Sequence, residues 1–231
     1  MAQQFAAKGR HLALCARRTD RLNELKADLV QRYPDINIAV AGLDVNNHLQ
    51  VTEVFAELSN KLGGIDRIVV NAGLGKGAPL GSGKLGVNKA IINTNLVAAL
   101  VQAETALEMF KATGSGHLVL MSSMISARGI PGGWAAYAAS KAGIRSLGES
   151  LRAEYAKGPI KVSVIEPGPI QSELNPKPRF GMLMRDNSIG VNALVEAIER
   201  EQGRAVVPWW PWAPIVQLLR VVPLSMIKRF V

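Results

Sequence analysis

Tyr137 and Lys141 stand four residues apart in the run Tyr137-Ala-Ala-Ser-Lys141. On a helix, positions four apart share a face, so a lysine ammonium can approach the phenol. A free tyrosine has a pKa near ~10 and exchanges protons poorly at neutral pH. A neighbouring cation favours the phenolate. Bringing the pKa to about 7 takes roughly 4 kcal/mol of differential stabilisation, more than one exposed lysine supplies. A second positive charge beside the phenol would complete the shift. Taken alone, the same pair also describes an ordinary helix surface, so the elements around it decide its meaning.

Short runs rich in β-branched and aliphatic residues predict buried strands at His11–Ala16, Ile36–Leu43, Arg67–Val70, His117–Met121, Lys161–Ile165 and Ala205–Val207. Segments of helical period lie between them. Leu22, Leu25 and Leu29 share one face, with Thr19 or Asp20 placed to cap the helix. Val51, Val54, Phe55, Leu58 and Leu62 form a second stripe. Leu96 to Phe110 is a third helix, and Ile144, Leu147, Leu151 and Tyr155 mark a fourth. This alternation predicts an α/β fold, a doubly wound parallel sheet with helices on both faces.

Such sheets bind ligands outside the carboxyl ends of their strands. In this sequence those ends carry Arg17 and Arg18, then Asp44, then Asn71-Ala72-Gly73, then Ser122-Ser123, then Pro167-Gly168. Polar, charged or glycine-bearing turns at successive strand ends place a site along that edge. An acidic residue after the strand ending at Ala16 would bind a free ribose 2′-hydroxyl, whereas arginine suits a 2′-phosphate. Arg17 and Arg18 therefore point to NADP rather than NAD, and two solvated arginines in a turn are the plainer alternative.

The 231 residues suffice for one well-packed domain, with 48% apolar and 19% charged residues. A single cysteine, Cys15, excludes an internal disulfide, fits a reducing, cytoplasmic setting and reads as a buried structural thiol. The net charge of +9 accompanies basic residues that are dispersed rather than run together, which argues against nucleic acid as a partner. No zinc-ligand pattern is present, so no metal is expected. The opening MAQQFAAKGR lacks the apolar segment of a secretion signal, and no uninterrupted apolar stretch of about 20 residues predicts a membrane span.

The run from Leu118 to Ile144, LVLMSSMISARGIPGGWAAYAASKAGI, joins a strand ending in two serines to a helix opening at the tyrosine. Here the sequence resembles the short-chain dehydrogenase/reductase family, whose signature is a serine after the fifth strand and then Tyr-x-x-x-Lys. Asn71-Ala72-Gly73, Asn95 and Pro167-Gly168 match further family motifs, and the likeness extends to about Gln202. The resemblance implies Tyr137 as general acid in reduction and base in oxidation. It implies Lys141 holding the ribose hydroxyls and depressing the tyrosine pKa, and Ser123 bonding the substrate oxygen. Asn95 would support a water in a proton relay. Cofactor contacts are implied for Arg17, Arg18, Asp44, Val45, Asn71, Ala72, Gly73, Tyr137, Lys141, Pro167, Gly168 and Ile170. Ser123 lies fourteen residues before Tyr137, where many members have thirteen, which leaves Ser122 as the alternative hydroxyl.

The family begins with a strand and a glycine-rich turn at a helix N-terminus. The opening of this sequence reads instead as the latter half of that helix, with Gly9 at its end. An N-terminally truncated sheet lacking its central strand is therefore expected, with Met1 inside an element.

After Gly168, residues 169–190 are where this fold builds a substrate lid, and Met182, Leu183 and Met184 suggest either an apolar pocket or loop packing. Residues 205–231 form an apolar and basic tail with Trp209, Trp210 and Trp212 among prolines. No acidic residue follows Glu201. The tail suits peripheral contact with a membrane, a dimer interface, or a cover over a lipophilic substrate. The combined expectation is an NADP-dependent carbonyl reductase or alcohol dehydrogenase acting on an apolar small molecule, and the resemblance implies a homodimer or homotetramer. The alternative is a catalytically silent protein that keeps the fold and binds or scaffolds without cofactor.

Overall fold

The computed structural model describes residues 1–170 and 187–227. Each short apolar run read from the sequence is a strand in it: β1 Leu12–Ala16, β2 Ile38–Gly42, β3 Arg67–Val70, β4 Gly116–Met121, β5 Ile160–Pro167 and β6 Arg204–Val207. The helices between them are α1 Ala2–Ala7, α2 Thr19–Arg32, α3 His48–Leu62, α4 Leu85–Ile92, α5 Ala98–Thr113, α6 Ala135–Glu154 and α7 Asn187–Glu199. Beyond β6 lie α8, Trp209–Val221, and the short α9, Leu224–Ile227. Met182, Leu183 and Met184, and Lys228 onwards, fall outside the described residues.

All strand pairings are parallel, and strand residues alternate between two faces as the period of two requires. Leu118 and Leu120 pack with Phe55 of α3, Phe110 of α5 and Ile144 of α6. Val119 and Met121 point the other way, toward Phe5 of α1 and Val195 and Ile198 of α7. Leu25 and Leu29 of α2 cover the same side of β1 and β2. Helices therefore lie on both faces, as the alternating pattern predicts.

The sheet is in two pieces. β1 pairs only with β2, while β3, β4, β5 and β6 form a separate four-stranded sheet in that order. No backbone hydrogen bond joins β1 to β3 among the described residues. All five residues of β1 are half-buried, where a strand paired on both edges would be enclosed. Cys15 shares this position, so the thiol expected to be buried is only half-buried. Its pKa is raised by burial.

Side chains span the division. Glu199 of α7 accepts from Arg10 Nη2 at 2.6 Å, just before β1, and from Arg67 Nη1 at 2.6 Å, at the start of β3. Lys8 adds a bond to Glu196 at 2.7 Å. Arg67 Nε also donates to His117 Nδ1 at 2.9 Å, and His117 Nε2 meets Ser163 Oγ at 2.8 Å. Burial alone would raise the Glu199 pKa, but the bonds from Arg10 and Arg67 together hold it below the usual carboxylate range.

Two local readings change. α2 is preceded by Arg18 in the cap position, without a side-chain cap bond, so neither Thr19 nor Asp20 caps it. Both sit in its first turn, where the Asp20 carboxylate favours the helix dipole. α4, a π-helical turn at Asn93–Val97 and α5 run on as one helical stretch. That stretch, Leu85–Thr113, is long and apolar enough to cross a membrane by length and composition, though polar and charged residues interrupt it. Half of its most apolar window is buried in the fold, as for a core helix.

His117 is 2% exposed, and burial, then Arg67, lower its pKa from 6.5 to about 4. The unfolded chain therefore binds a proton between pH 6.5 and 4 that the folded chain refuses. Stability is full above about 6.5 and falls toward pH 4, by up to ~3 kcal/mol. Urea unfolding across that window should show this slope, and His117→Gln should flatten it. An unchanged slope in the variant would remove His117 from the account.

Candidate active site

Parallel strands bring their carboxyl ends to one edge, and the backbone ties neighbouring ends together. Leu43 N–H donates to Ala16 O at 3.0 Å, which sets Arg17 beside Asp44. The Asp44 carboxylate is held below its usual pKa, first by the Asn46 backbone N–H and then by the Asn46 side chain and Arg17, against the opposing effect of burial. Val45, next in sequence, packs against the core beneath. Arg17 and Arg18 are exposed at this corner.

At the next strand end, Asn71 is exposed and Ala72 and Gly73 are half-buried. Gly73 lies against the catalytic candidates: a Cβ there would meet Asn95 Oδ1 at 3.4 Å and Lys141 Nζ at 3.7 Å. Asn95 sits inside the π-helical turn and is 1% exposed. Such turns aim side chains that a regular helix would place elsewhere. Its Oδ1 accepts from Leu74 N–H at 2.7 Å, while Nδ2 donates to Leu74 O at 3.0 Å and Ser140 Oγ at 3.2 Å. Ser140 in turn donates to Tyr137 O at 2.8 Å. Asn95 thus fastens the turn after β3 to the first turns of α6. Sequence reasoning gave Ser140 no role, although it lies within the tyrosine motif.

The two serines after β4 diverge. Ser122 Oγ donates to Lys141 O at 2.8 Å and is spent on the helix backbone. Ser123 precedes a 3₁₀ turn, Met124–Ala127, and its Oγ accepts from Ile125 N–H at 3.3 Å. Ser123 also favours the ionised form of the Tyr137 phenol. Trp134 packs edge-on against Tyr137 with ring centroids 5.6 Å apart, and Lys76 Nζ lies 6.0 Å from the Trp134 ring.

Lys141 is 6% exposed, its Nζ donating to Met121 O at 2.8 Å and lying 5.9 Å from the Tyr137 ring centre. Burial lowers its pKa to about 8. Burial also raises the Tyr137 pKa, and Ser123 offsets only part of that. The sequence expectation of a depressed tyrosine is reversed in this state, because desolvating a phenolate costs more than a lysine turned toward a carbonyl returns.

The last strand ends complete the edge. Pro167 pairs in register with Val207, and Gly168 N–H donates to Val207 O at 2.8 Å. Gly168 lies under the Trp212 indole, and Ile170 packs on Gly190 of α7. Glu166 is fully buried, bonded to Arg204 at 2.8 Å and Ser126 at 3.2 Å.

The residues present fit the two ends of a nicotinamide dinucleotide. Arg17 and Arg18 offer cations for a 2′-phosphate, and Lys141, beside Gly73, offers an ammonium for ribose hydroxyls. The turn before α2 is formed by Arg17 and Arg18 and carries no glycine. Among the described residues no cluster of His, Cys, Asp and Glu could hold a metal ion.

A family profile described as short chain dehydrogenase matches residues 1–180. An uncharacterized oxidoreductase of Mycobacterium tuberculosis is 69% identical over 230 residues, covering 100% of this chain and 91% of that protein. Levodione reductase of Leifsonia aquatica is 27% identical over 88% of this chain and 89% of its own length. A crystal structure of levodione reductase superposes with a TM-score of 0.79 at 25% identity, covering 89% of this chain and 88% of that one. The closed form of a serine dehydrogenase complexed with NADP+ is 28% identical, with a TM-score of 0.66 over 73% of this chain and 66% of that one.

A Cβ added at Gly168 would lie 2.6 Å from Trp212 Cδ1. Gly168→Ala should therefore displace the indole and destabilise the fold by about 1–3 kcal/mol. A thermal melt and a shift in tryptophan emission would report this, and a wild-type melt with unshifted emission would contradict the contact.

Proposed function

The chain belongs to the short-chain dehydrogenase family, and we propose that it is an NADP-preferring reductase that interconverts a carbonyl and an alcohol on an apolar small molecule. The observation that carries this reading is the half-buried Tyr137, whose phenol pKa is raised by desolvation and lowered by Ser123, with the buried Lys141 ammonium 5.9 Å from its ring centre. A phenol kept protonated by burial is a proton donor in waiting, which suits the direction of carbonyl reduction.

When bound, the reduced nicotinamide supplies a hydride to the carbonyl carbon. Ser123 Oγ donates to the carbonyl oxygen and orients it toward Tyr137. The Tyr137 hydroxyl gives its proton to that oxygen, yielding the alcohol and leaving a phenolate. The Lys141 ammonium then stabilises the phenolate, an interaction strongest in the transition state and product. Asn95 holds the turn after β3 against α6 and borders the route by which a water reaches Lys141.

Arg17 and Arg18 take the 2′-phosphate. Asp44 and Val45 flank the adenine, and the turn Asn71-Ala72-Gly73 with Pro167, Gly168 and Ile170 lines the remainder. The serine dehydrogenase crystallised with NADP+ supports this choice of coenzyme. We read residues 1–231 as one domain, in a cytoplasmic homodimer or homotetramer.

Fluorescence titration should show NADPH binding at least about tenfold tighter than NADH, with Arg17→Ala/Arg18→Ala erasing the difference. Tyr137→Phe should leave NADPH binding intact and lower kcat by roughly 10²–10⁴. Equal affinity for both coenzymes would remove the NADP preference. Binding of neither would install the silent protein in place of the enzyme.

With the Lys141 pKa near 8, reduction should slow as pH rises through that value, because the phenolate loses its counter-cation. Lys141→Arg, which does not titrate there, should retain only residual activity without this limb. The same limb in the variant would assign it to another group.

A further inference from the structure

α8 has two apolar faces, and the fold uses one. Trp212 and Val216 are buried against Met124, with Ile215 and Leu219 packed beside them. Val221 lies nine residues after Trp212, about half a turn round the helix, and is exposed together with Leu218. Trp209 and Trp210, at the kinked start of α8, and Leu224 and Met226 of α9 are exposed as well. Trp209 is 69% and Val221 77% exposed. Single surface aliphatics are ordinary, whereas six large apolar side chains exposed between Trp209 and Met226, two of them tryptophan, mark an interaction surface.

This surface is held in place. Arg128 donates from Nη1 to Arg220 O at 3.3 Å and from Nη2 to Val222 O at 2.9 Å. The end of α8 is thereby fixed to the loop that follows Ser123. β6 runs parallel to β5, so Val207 ends at the same edge as Pro167, and Trp209 follows within two residues. The apolar surface therefore borders the edge that carries the candidate active site.

We propose that α8 and α9 form an interfacial face that seats this edge on an anionic lipid bilayer. Tryptophan among exposed aliphatics is the composition that headgroup regions favour. Charge selects the partner. From Gln202 to Val231 the sequence has no acidic residue, while it carries Arg204, Arg220, Lys228 and Arg229, in a chain of net charge +9. Arg204 is neutralised by Glu166, and the acid-free sequence still leaves the segment a net positive charge. A two-fold contact with a second copy would set this acid-free segment against itself, pairing like charges across the contact. Lipid headgroups of opposite sign carry no such penalty. The lipid contact stands on the surface alone. Its purpose, delivery of a bilayer-dissolved carbonyl substrate, rests on the reductase reading.

The purified chain should co-sediment with vesicles of phosphatidylcholine containing about 30% phosphatidylglycerol, and far less with phosphatidylcholine alone. Tryptophan emission should shift to shorter wavelength on binding, and high salt should weaken it. Trp209→Ser/Trp210→Ser and Leu218→Gln/Val221→Gln change exposed side chains. Each should lower the vesicle partition coefficient roughly tenfold or more while keeping the wild-type melting temperature. Undiminished binding by both variants, or no preference for anionic vesicles, would overturn the proposal. Variants that convert an oligomer to monomer in sedimentation without changing vesicle binding would overturn it too, and give the face to a second copy. NADPH titration of the same samples separates the two ideas, since vesicle binding without coenzyme binding would fail only the enzyme reading.

Discussion

One carboxylate, Glu199, joins parts of this protein that backbone hydrogen bonds do not. β1 and β3 share no ladder, so the corner holding Arg17 and Asp44 is positioned against the rest of the edge by helices and side chains. Glu199 reaches Arg10 on one side and Arg67 on the other, and Arg67 continues the chain to His117 and Ser163 in the four-stranded sheet. Glu199 is only 14% exposed in its side chain, so these pairs are screened less than surface ones. Their geometry sets the distance between the adenosine end and the nicotinamide end of the proposed cofactor site.

At the nicotinamide end, burial is the controlling variable. It keeps Tyr137 protonated and makes Lys141 easier to deprotonate, moving the two groups toward neutrality together. A protonated acid beside a substrate oxygen is useful only if a cation stands ready once the proton leaves. Lys141 Nζ is held by Met121 O, 5.9 Å from the Tyr137 ring centre and beside Gly73. The π-helical turn supplies the remaining fixed point by directing Asn95 to Leu74 and Ser140.

The carboxyl-terminal helices extend the same edge outward. Trp212 anchors α8 beneath the loop after Ser123 and against Gly168, so the position of the apolar surface is coupled to the position of the site. Arg128 performs the equivalent task at the far end of the helix. A surface built this way presents apolar groups without local unfolding, since the buried face alone satisfies the packing of the helix.

The sequence by itself determined the alternation of strands and helices, because periods of two and of 3.6 are written in which residues are apolar. It also determined which chemical groups stand at the strand ends, since Arg17, Asp44, Gly73, Ser123 and Gly168 each follow a recognisable strand. Tyr137 and Lys141 were legible from spacing, and their setting from the resemblance of the surrounding motifs. Tertiary structure alone decided which serine faces the phenol, since Ser122 and Ser123 differ only in whether they point at α6 backbone or at Tyr137. It decided the direction of the tyrosine shift, because desolvation depends on what packs around a group and not on what is four residues away. The role of Glu199, which bonds residues 189 and 132 positions distant, follows the same logic. No local pattern encodes a contact made only when distant segments fold together.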